Sequence, residues 1–124
     1  MKEVLFVAIG GALGSVSRYL TGVFLAQQLT SPYPYATLSV NLAGSLLIGL
    51  LSGLFVKSGS PITQFMLITG FCGGFTTFST FSLDGVKLLQ AGEYIPFISY
   101  VGISLIGGIS LCIAGFWLSD KIFG

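Results

Sequence analysis

Histidine is absent from this 124-residue chain, and charge is scarce, with 5 Lys+Arg and 4 Asp+Glu making up 7% of the sequence. Without histidine the commonest general base and metal ligand is missing. With no run of Lys or Arg there is no electrostatic footprint for nucleic acid. Two cysteines occur, Cys72 and Cys112, each inside an apolar stretch and neither in a CxxC or Cys/His spacing that would hold a metal or a redox pair. Both read as buried thiols. A soluble domain this small needs about a quarter of its residues charged to cover its surface. What stands here instead is 53% hydrophobic residues and 18 glycines, together about two thirds of the chain against a soluble norm of about half. This composition excludes a soluble hydrolase, a zinc protein and a DNA-binding domain. It predicts an integral membrane protein with the lipid bilayer as its solvent.

About 20 apolar residues cross a bilayer, and the chain divides into four such runs, 4–27, 35–56, 61–89 and 95–118. The charges of Lys2 and Glu3 cancel, and the first run continues past a signal-peptide core without a small-x-small cleavage site, so it reads as a retained helix. The separators are short and turn-like: Thr30-Ser31-Pro32-Tyr33-Pro34, Lys57-Ser58-Gly59-Ser60-Pro61 and Gln90-Ala91-Gly92-Glu93. The expectation is an all-α membrane protein with one transmembrane domain over 1–124. Four crossings place both ends on one side, so Lys2, Lys57 and Lys121 face Arg18 and Lys87. Orientation follows the Lys/Arg difference, and three against two hardly selects one. Two readings stand: a fixed orientation that the charges do not reveal, and dual topology, in which copies insert both ways and pair antiparallel.

Small and polar residues recur every fourth position. The first run carries Gly10, Gly14, Arg18 and Gly22, the second Thr37, Asn41, Ser45, Gly49 and Gly53, the fourth Tyr100, Ser104, Gly108 and Cys112. Residues at i and i+4 share one helix face, and small ones let backbones approach where lipid supplies no hydrophobic drive. Polar groups on those faces point to protein or to a wet cavity, because acyl chains leave them unsatisfied. Arg18 is a snorkelling anchor near a helix end or an anion-attracting group in a water-filled vestibule. Asn41, deeper in its run, holds helices together or offers its amide donors to an anion.

The third run of 29 residues makes on the order of 43 Å of straight helix, well beyond a hydrocarbon core of about 30 Å. Gly73-Gly74 and Thr76-Thr77 in its middle are poor helix formers. Half-helix ends meeting at membrane depth are ion-binding devices, offering carbonyls to cations or N–H groups to anions. A break near Gly73 to Thr76 therefore predicts a bound ion. Na⁺ suits carbonyls alone, since no carboxylate lies near enough in sequence to build a Ca²⁺ or Mg²⁺ cage. Close packing of an unbroken Gly-Gly helix is the other reading. Phe78 and Phe81 are neighbours on one face, with Thr77, Ser79 and Thr80 supplying hydroxyls beside them. Aromatic rings in membranes usually pack, yet their positive edges among hydroxyl and amide donors suit a narrow anion path.

The residues that carry a resemblance are Gly10-Gly11-Ala12-Leu13-Gly14 with Arg18-Tyr19, Thr37-Leu38-Ser39-Val40-Asn41-Leu42-Ala43-Gly44, and above all Gly70 through Phe81. With these the chain resembles the Fluc (CrcB-type) fluoride channel family over essentially its whole length. The resemblance implies an antiparallel, dual-topology homodimer in the bacterial plasma (inner) membrane, with two pores that passively export F⁻ from the cytoplasm. Export matters because HF crosses membranes uncharged and ionises inside. By resemblance, the backbone carbonyls of Gly73 and Thr76 hold a structural Na⁺ at the dimer centre. Phe78 and Phe81 form the pore-lining aromatic pair, Asn41 contacts fluoride and Arg18 stands in the vestibule. Tyr100 and Ser104 line the pore from the fourth helix, while Ser79, Thr80 and Asp84 form a polar track. Gly108 departs from the pattern, since some relatives carry a hydroxyl there.

A small multidrug-resistance-type exporter, also a four-helix dual-topology dimer, needs a membrane-embedded acid in its first helix. Here Glu3 lies at the extreme end and Arg18 is a cation. A structural membrane subunit explains the glycine stripes and leaves the aromatic-hydroxyl string unexplained. An enzyme lacks its nucleophile-base pair, ligand set or paired carboxylates.

Overall fold

The computed structural model describes residues 1–57 and 59–124 and is helical throughout its regular structure. Four helical stretches among the described residues are long and apolar enough to cross a bilayer: Lys2–Gln28, Tyr35–Lys57, Pro61–Gln90 and Tyr94–Phe123. The first is α1 and the second α2. The third is assembled from α3 (Pro61–Gln64), a π-helical segment Phe65–Cys72, α4 (Gly73–Phe75) and α5 (Phe78–Gln90). Between α4 and α5, Thr76 (φ −90°, ψ 157°) and Thr77 (φ −152°, ψ 120°) are extended. The fourth joins α6 (Tyr94–Gly102), a π-helical turn Ile103–Gly107 and α7 (Gly108–Phe123).

Local chemistry explains the turns. After Gln28 the Leu29 N–H closes on the Leu25 carbonyl at 2.8 Å, and Pro32 and Pro34 keep the chain from re-entering a helix before α2. The second separator contains Ser58, which lies outside the described residues. Beyond it Ser60 and Pro61 open α3, with proline at a first-turn position where its missing N–H is no loss. The third separator is a Schellman close: the Glu93 N–H reaches the Leu88 carbonyl at 2.9 Å and the Gly92 N–H the Leu89 carbonyl at 3.0 Å. Gly92 sits at φ +74°, which glycine adopts freely.

The crossings pack as two parallel pairs, the first with the third and the second with the fourth. A Cβ at Gly10 would collide with the Met66 carbonyl, and one at Gly14 with that of Phe71. One at Gly74 would come within 2.5 Å of the Gly11 carbonyl. In the other pair a Cβ at Gly49 would strike the Cys112 carbonyl, and one at Gly115 would lie 2.5 Å from that of Leu46. Backbones therefore meet directly, giving the dispersion contact that drives helix association in lipid. A Cβ at Gly22, expected on the same stripe as Gly10 and Gly14, would meet no atom within 4 Å among the described residues. A small cluster of Tyr100, Leu38 and Leu88 is buried where α2, α5 and α6 meet, with Tyr33, Phe81 and Phe97 against it. Large apolar side chains such as Leu5, Ile9, Ile106 and Ile109 cover the outside.

Candidate functional site

The two extended threonines are where helix hydrogen bonding stops and side chains take over. The Thr76 N–H still reaches the Cys72 carbonyl at 3.0 Å, joined there by the Thr76 hydroxyl at 2.8 Å. At Thr77 the pattern changes. Its N–H donates to Asn41 Oδ1 at 2.8 Å, while Asn41 Nδ2 donates to the Thr77 carbonyl at 3.1 Å. The amide from α2 thus clamps both backbone groups of one residue, the satisfaction that non-helical backbone needs in a membrane. Arg18 Nε donates to the Gly74 carbonyl at 3.1 Å, placing a cation at the end of a helical run where unpaired carbonyls gather. Among the described residues no hydrogen bond reaches the carbonyls of Gly73 or Thr76. Gly73 is exposed, with open space where a Cβ would stand. These two oxygens are free to meet a cation, and they are too few to enclose one from a single chain.

Thr77 also caps α5. Its Oγ1 accepts from the Thr80 N–H at 3.2 Å and lies 3.2 Å from Thr80 Oγ1 and 3.3 Å from Ser79 Oγ. Phe78 opens α5 and is 77% exposed. Phe81 follows one turn on, the two ring centroids 5.7 Å apart and tilted by 43°. Tyr100 stands behind Phe81 at 5.1 Å, fully buried, and its hydroxyl donates to Asp84 Oδ2 at 3.3 Å.

Two cavities meet at this point. One of about 350 Å³ brings Asn41, Thr76, Thr77, Phe78, Phe81 and Ser104 together. The Ser104 hydroxyl, in the π-helical turn, is buried there without a hydrogen-bond partner among the described residues. The other, of about 400 Å³, is lined by Arg18, Tyr19, Thr37, Thr77 and Thr80. Neither has an acidic lining residue among the described residues. Of the site residues singled out from sequence, Gly73, Ser79, Asp84 and Tyr100 line neither cavity: Gly73 and Ser79 face outward, and Tyr100 is packed behind Phe81 with Asp84 on its hydroxyl. Thr77, which sequence reasoning treated only as one hydroxyl among several, is the residue that both cavities share. Its signal was a threonine just ahead of a helix start with a hydroxyl residue three positions on, an N-cap pattern. The π-helical segments and the clamp by Asn41 had no comparable signal.

Four stretches long and apolar enough to cross a bilayer, with a cavity lined by amide, hydroxyl and aromatic side chains and by no acid among the described residues, define a multi-pass membrane protein. A family profile described as CrcB-like protein, Camphor Resistance (CrcB), matches residues 5–116, and the chain belongs to this family. It is 43% identical over 119 residues, 94% of each chain, to a protein of Leptospira interrogans serovar copenhageni named "Fluoride-specific ion channel FluC". A protein of that name from Flavobacterium psychrophilum is 40% identical over 124 residues, 98% of this chain and 100% of the relative. Another from Chlorobium chlorochromatii is 49% identical over 108 residues, covering 86% and 83%.

Proposed function

We propose that this chain is a fluoride-selective passive channel that lets F⁻ leave the cytoplasm, and that it works as an antiparallel, dual-topology homodimer. The observation that carries the reading is the acid-free cavity where the Asn41 amide, the Ser104 hydroxyl without a partner and the Phe78 and Phe81 rings converge. Fluoride holds its water tightly and gives it up only to replacement donors. The Ser104 O–H is one. Asn41 Nδ2 retains a second N–H beyond the one given to the Thr77 carbonyl. Ring edges carry partial positive charge and complete the donor set without attracting a cation. Arg18, lining the second cavity, raises the local anion concentration, and the Thr77 and Thr80 hydroxyls that line it too form a polar track toward the rings.

The third crossing acts here as one transmembrane helix broken at Thr76 and Thr77. A structural Na⁺ fits the unbonded carbonyls of Gly73 and Thr76, with the same two from a second copy completing its shell; bound there, it would neutralise the half-helix ends. The names of the relatives support the channel over an exporter or a structural subunit.

The test is F⁻ efflux from proteoliposomes with a K⁺ ionophore, run beside Cl⁻ and with an imposed proton gradient. Rapid F⁻ efflux is expected, without Cl⁻ efflux and without need of the gradient. No F⁻ efflux from folded, Na⁺-loaded protein would overturn the reading.

A further inference from the structure

Five aromatic rings form an unbroken series from the middle of the third crossing to the turn between α1 and α2. Phe78 touches Phe81, Phe81 touches Tyr100, Tyr100 meets Tyr33 edge-on at 5.9 Å and 81°, and Tyr33 lies against Tyr35 at 4.8 Å. The first two rings belong to the proposed pathway, and Tyr100 is buried behind Phe81. Tyr33 belongs to a surface turn and has no part in the pathway so far, yet its ring lies edge-on against the buried Tyr100.

Tyr33 precedes Pro34, which restricts its backbone to extended conformations. Its N–H meets Ser31 Oγ at 3.2 Å, and the Tyr35 N–H returns to its carbonyl at 2.8 Å. Its hydroxyl lies 3.2 Å from Ser99 Oγ, on the residue before Tyr100. Tyr33 is thus fixed at its backbone, at its ring and at its hydroxyl. Tyr100 is held by its ring packing and one hydroxyl bond to Asp84 at 3.3 Å, and Phe81 has Tyr100 behind it.

We propose that Tyr33 is a positioning residue for the ion path: its edge-on contact fixes the tilt of the Tyr100 ring, and Tyr100 in turn sets the angle at which Phe81 faces the cavity. The proposal rests on the fluoride-channel reading for its functional consequence, and on packing alone for its structural one. A ring edge stabilises an anion only over a narrow range of angles, so loosening the outer ring reduces flux without removing any group that touches the ion. The hydroxyl bond to Ser99 is a secondary tether, and the ring is the main one.

The experiment compares Y33F, Y33L and S99A in the full chain, by F⁻ efflux per folded protein and by aromatic ¹³C NMR of selectively labelled tyrosine. Y33F and S99A keep the ring and are expected within about two-fold of wild type, whereas Y33L is expected to lower flux about ten-fold, given how tightly site geometry must be held. Faster flipping of the Tyr100 ring should accompany the loss in Y33L and be absent in Y33F, a readout that a purely stabilising residue would not move. Should Y33L not fold, Y33M is read in its place with the same expectation. Wild-type flux in a folded Y33L or Y33M protein, or a Y33F loss equal to that of Y33L, overturns the proposal. If wild type itself carries no F⁻, the channel reading fails, and the Tyr100 ring signals still decide whether Tyr33 positions that ring.

Discussion

The contact between α1 and the third crossing and the neighbourhood of Thr77 solve the same problem in opposite ways. Around Gly10 and Gly14 the backbones of two helices touch, and the absence of side chains is what lets them pack. Around Thr77 the helix stops, and a side chain from another helix supplies the missing partners, two bonds from the single amide of Asn41. The first region tolerates no added atom; the second tolerates no lost one. Rigid packing thus frames a short stretch where polar groups are spared from helix bonding and can meet an ion.

Substituting Gly14 by valine tests the first half of this contrast and should have the largest effect. A Cβ there collides with the Phe71 carbonyl and lies 2.9 Å from the Phe75 nitrogen, so neither neighbour can yield cheaply. Destabilisation of about 3 kcal/mol or more is expected, seen as loss of monodisperse protein in detergent. Gly22→Ala, with open space around it, should stay within about 0.5 kcal/mol in the same assay.

Asn41→Ala tests the other half. It strands the Thr77 N–H and carbonyl, at about 1–3 kcal/mol for each unsatisfied group, and should lower both the melting temperature and F⁻ efflux. Asn41→Asp sharpens the result, since it keeps an acceptor for the Thr77 N–H and places a negative charge in the path of an anion. Its stability should exceed that of the alanine variant while its flux falls at least as far. Equal stability of the two would mean that the clamp contributes little.

Phe81→Ile and Phe78→Ile should both depress F⁻ flux and should separate on stability. Phe81 packs on buried Tyr100, and its loss should cost about 1–2 kcal/mol. Phe78 is largely exposed in the single chain, so its loss should leave the melting temperature of the isolated chain nearly unchanged. The smallest effect is expected at the Lys57–Asp120 pair, 2.6 Å apart with side chains 39% and 72% exposed. Lys57→Gln should cost less than about 1 kcal/mol in a denaturation assay and leave efflux as it was.

The glycine stripes were legible from spacing alone because small residues at i and i+4 define a face whatever they meet, and Gly10, Gly14, Gly49 and Gly53 do lie against other helices. Gly22 shows the limit of that argument, since a stripe does not reveal where its partner ends. The turn at Gly92 was readable from its residues, whereas the fourth helix continues to Phe123, beyond the end of the apolar run, because Ser119, Asp120 and Lys121 interrupt hydropathy without breaking a helix. At Gly73-Gly74 propensity pointed to weakness, and the extended residues are Thr76 and Thr77, just after it. Propensity locates a weak stretch but not the peptide that leaves the helix, which depends on the reach of Asn41 from α2. For Asn41, sequence left open the choice between holding helices and meeting an anion. Both of its polar ends bond Thr77, and one N–H is left over, so the two roles are compatible.

The pairing of first crossing with third and second with fourth has a consequence for how the chain is made. When two helices have left the ribosome, neither has its mate, and the glycine faces of both stand open to lipid. The first pair can close only after the third crossing enters, and the second only after the fourth. Assembly is therefore non-local and late, and it exposes an intermediate whose unpaired faces invite association with the wrong helix. A second copy arriving too early would find those same faces before the chain's own helices did.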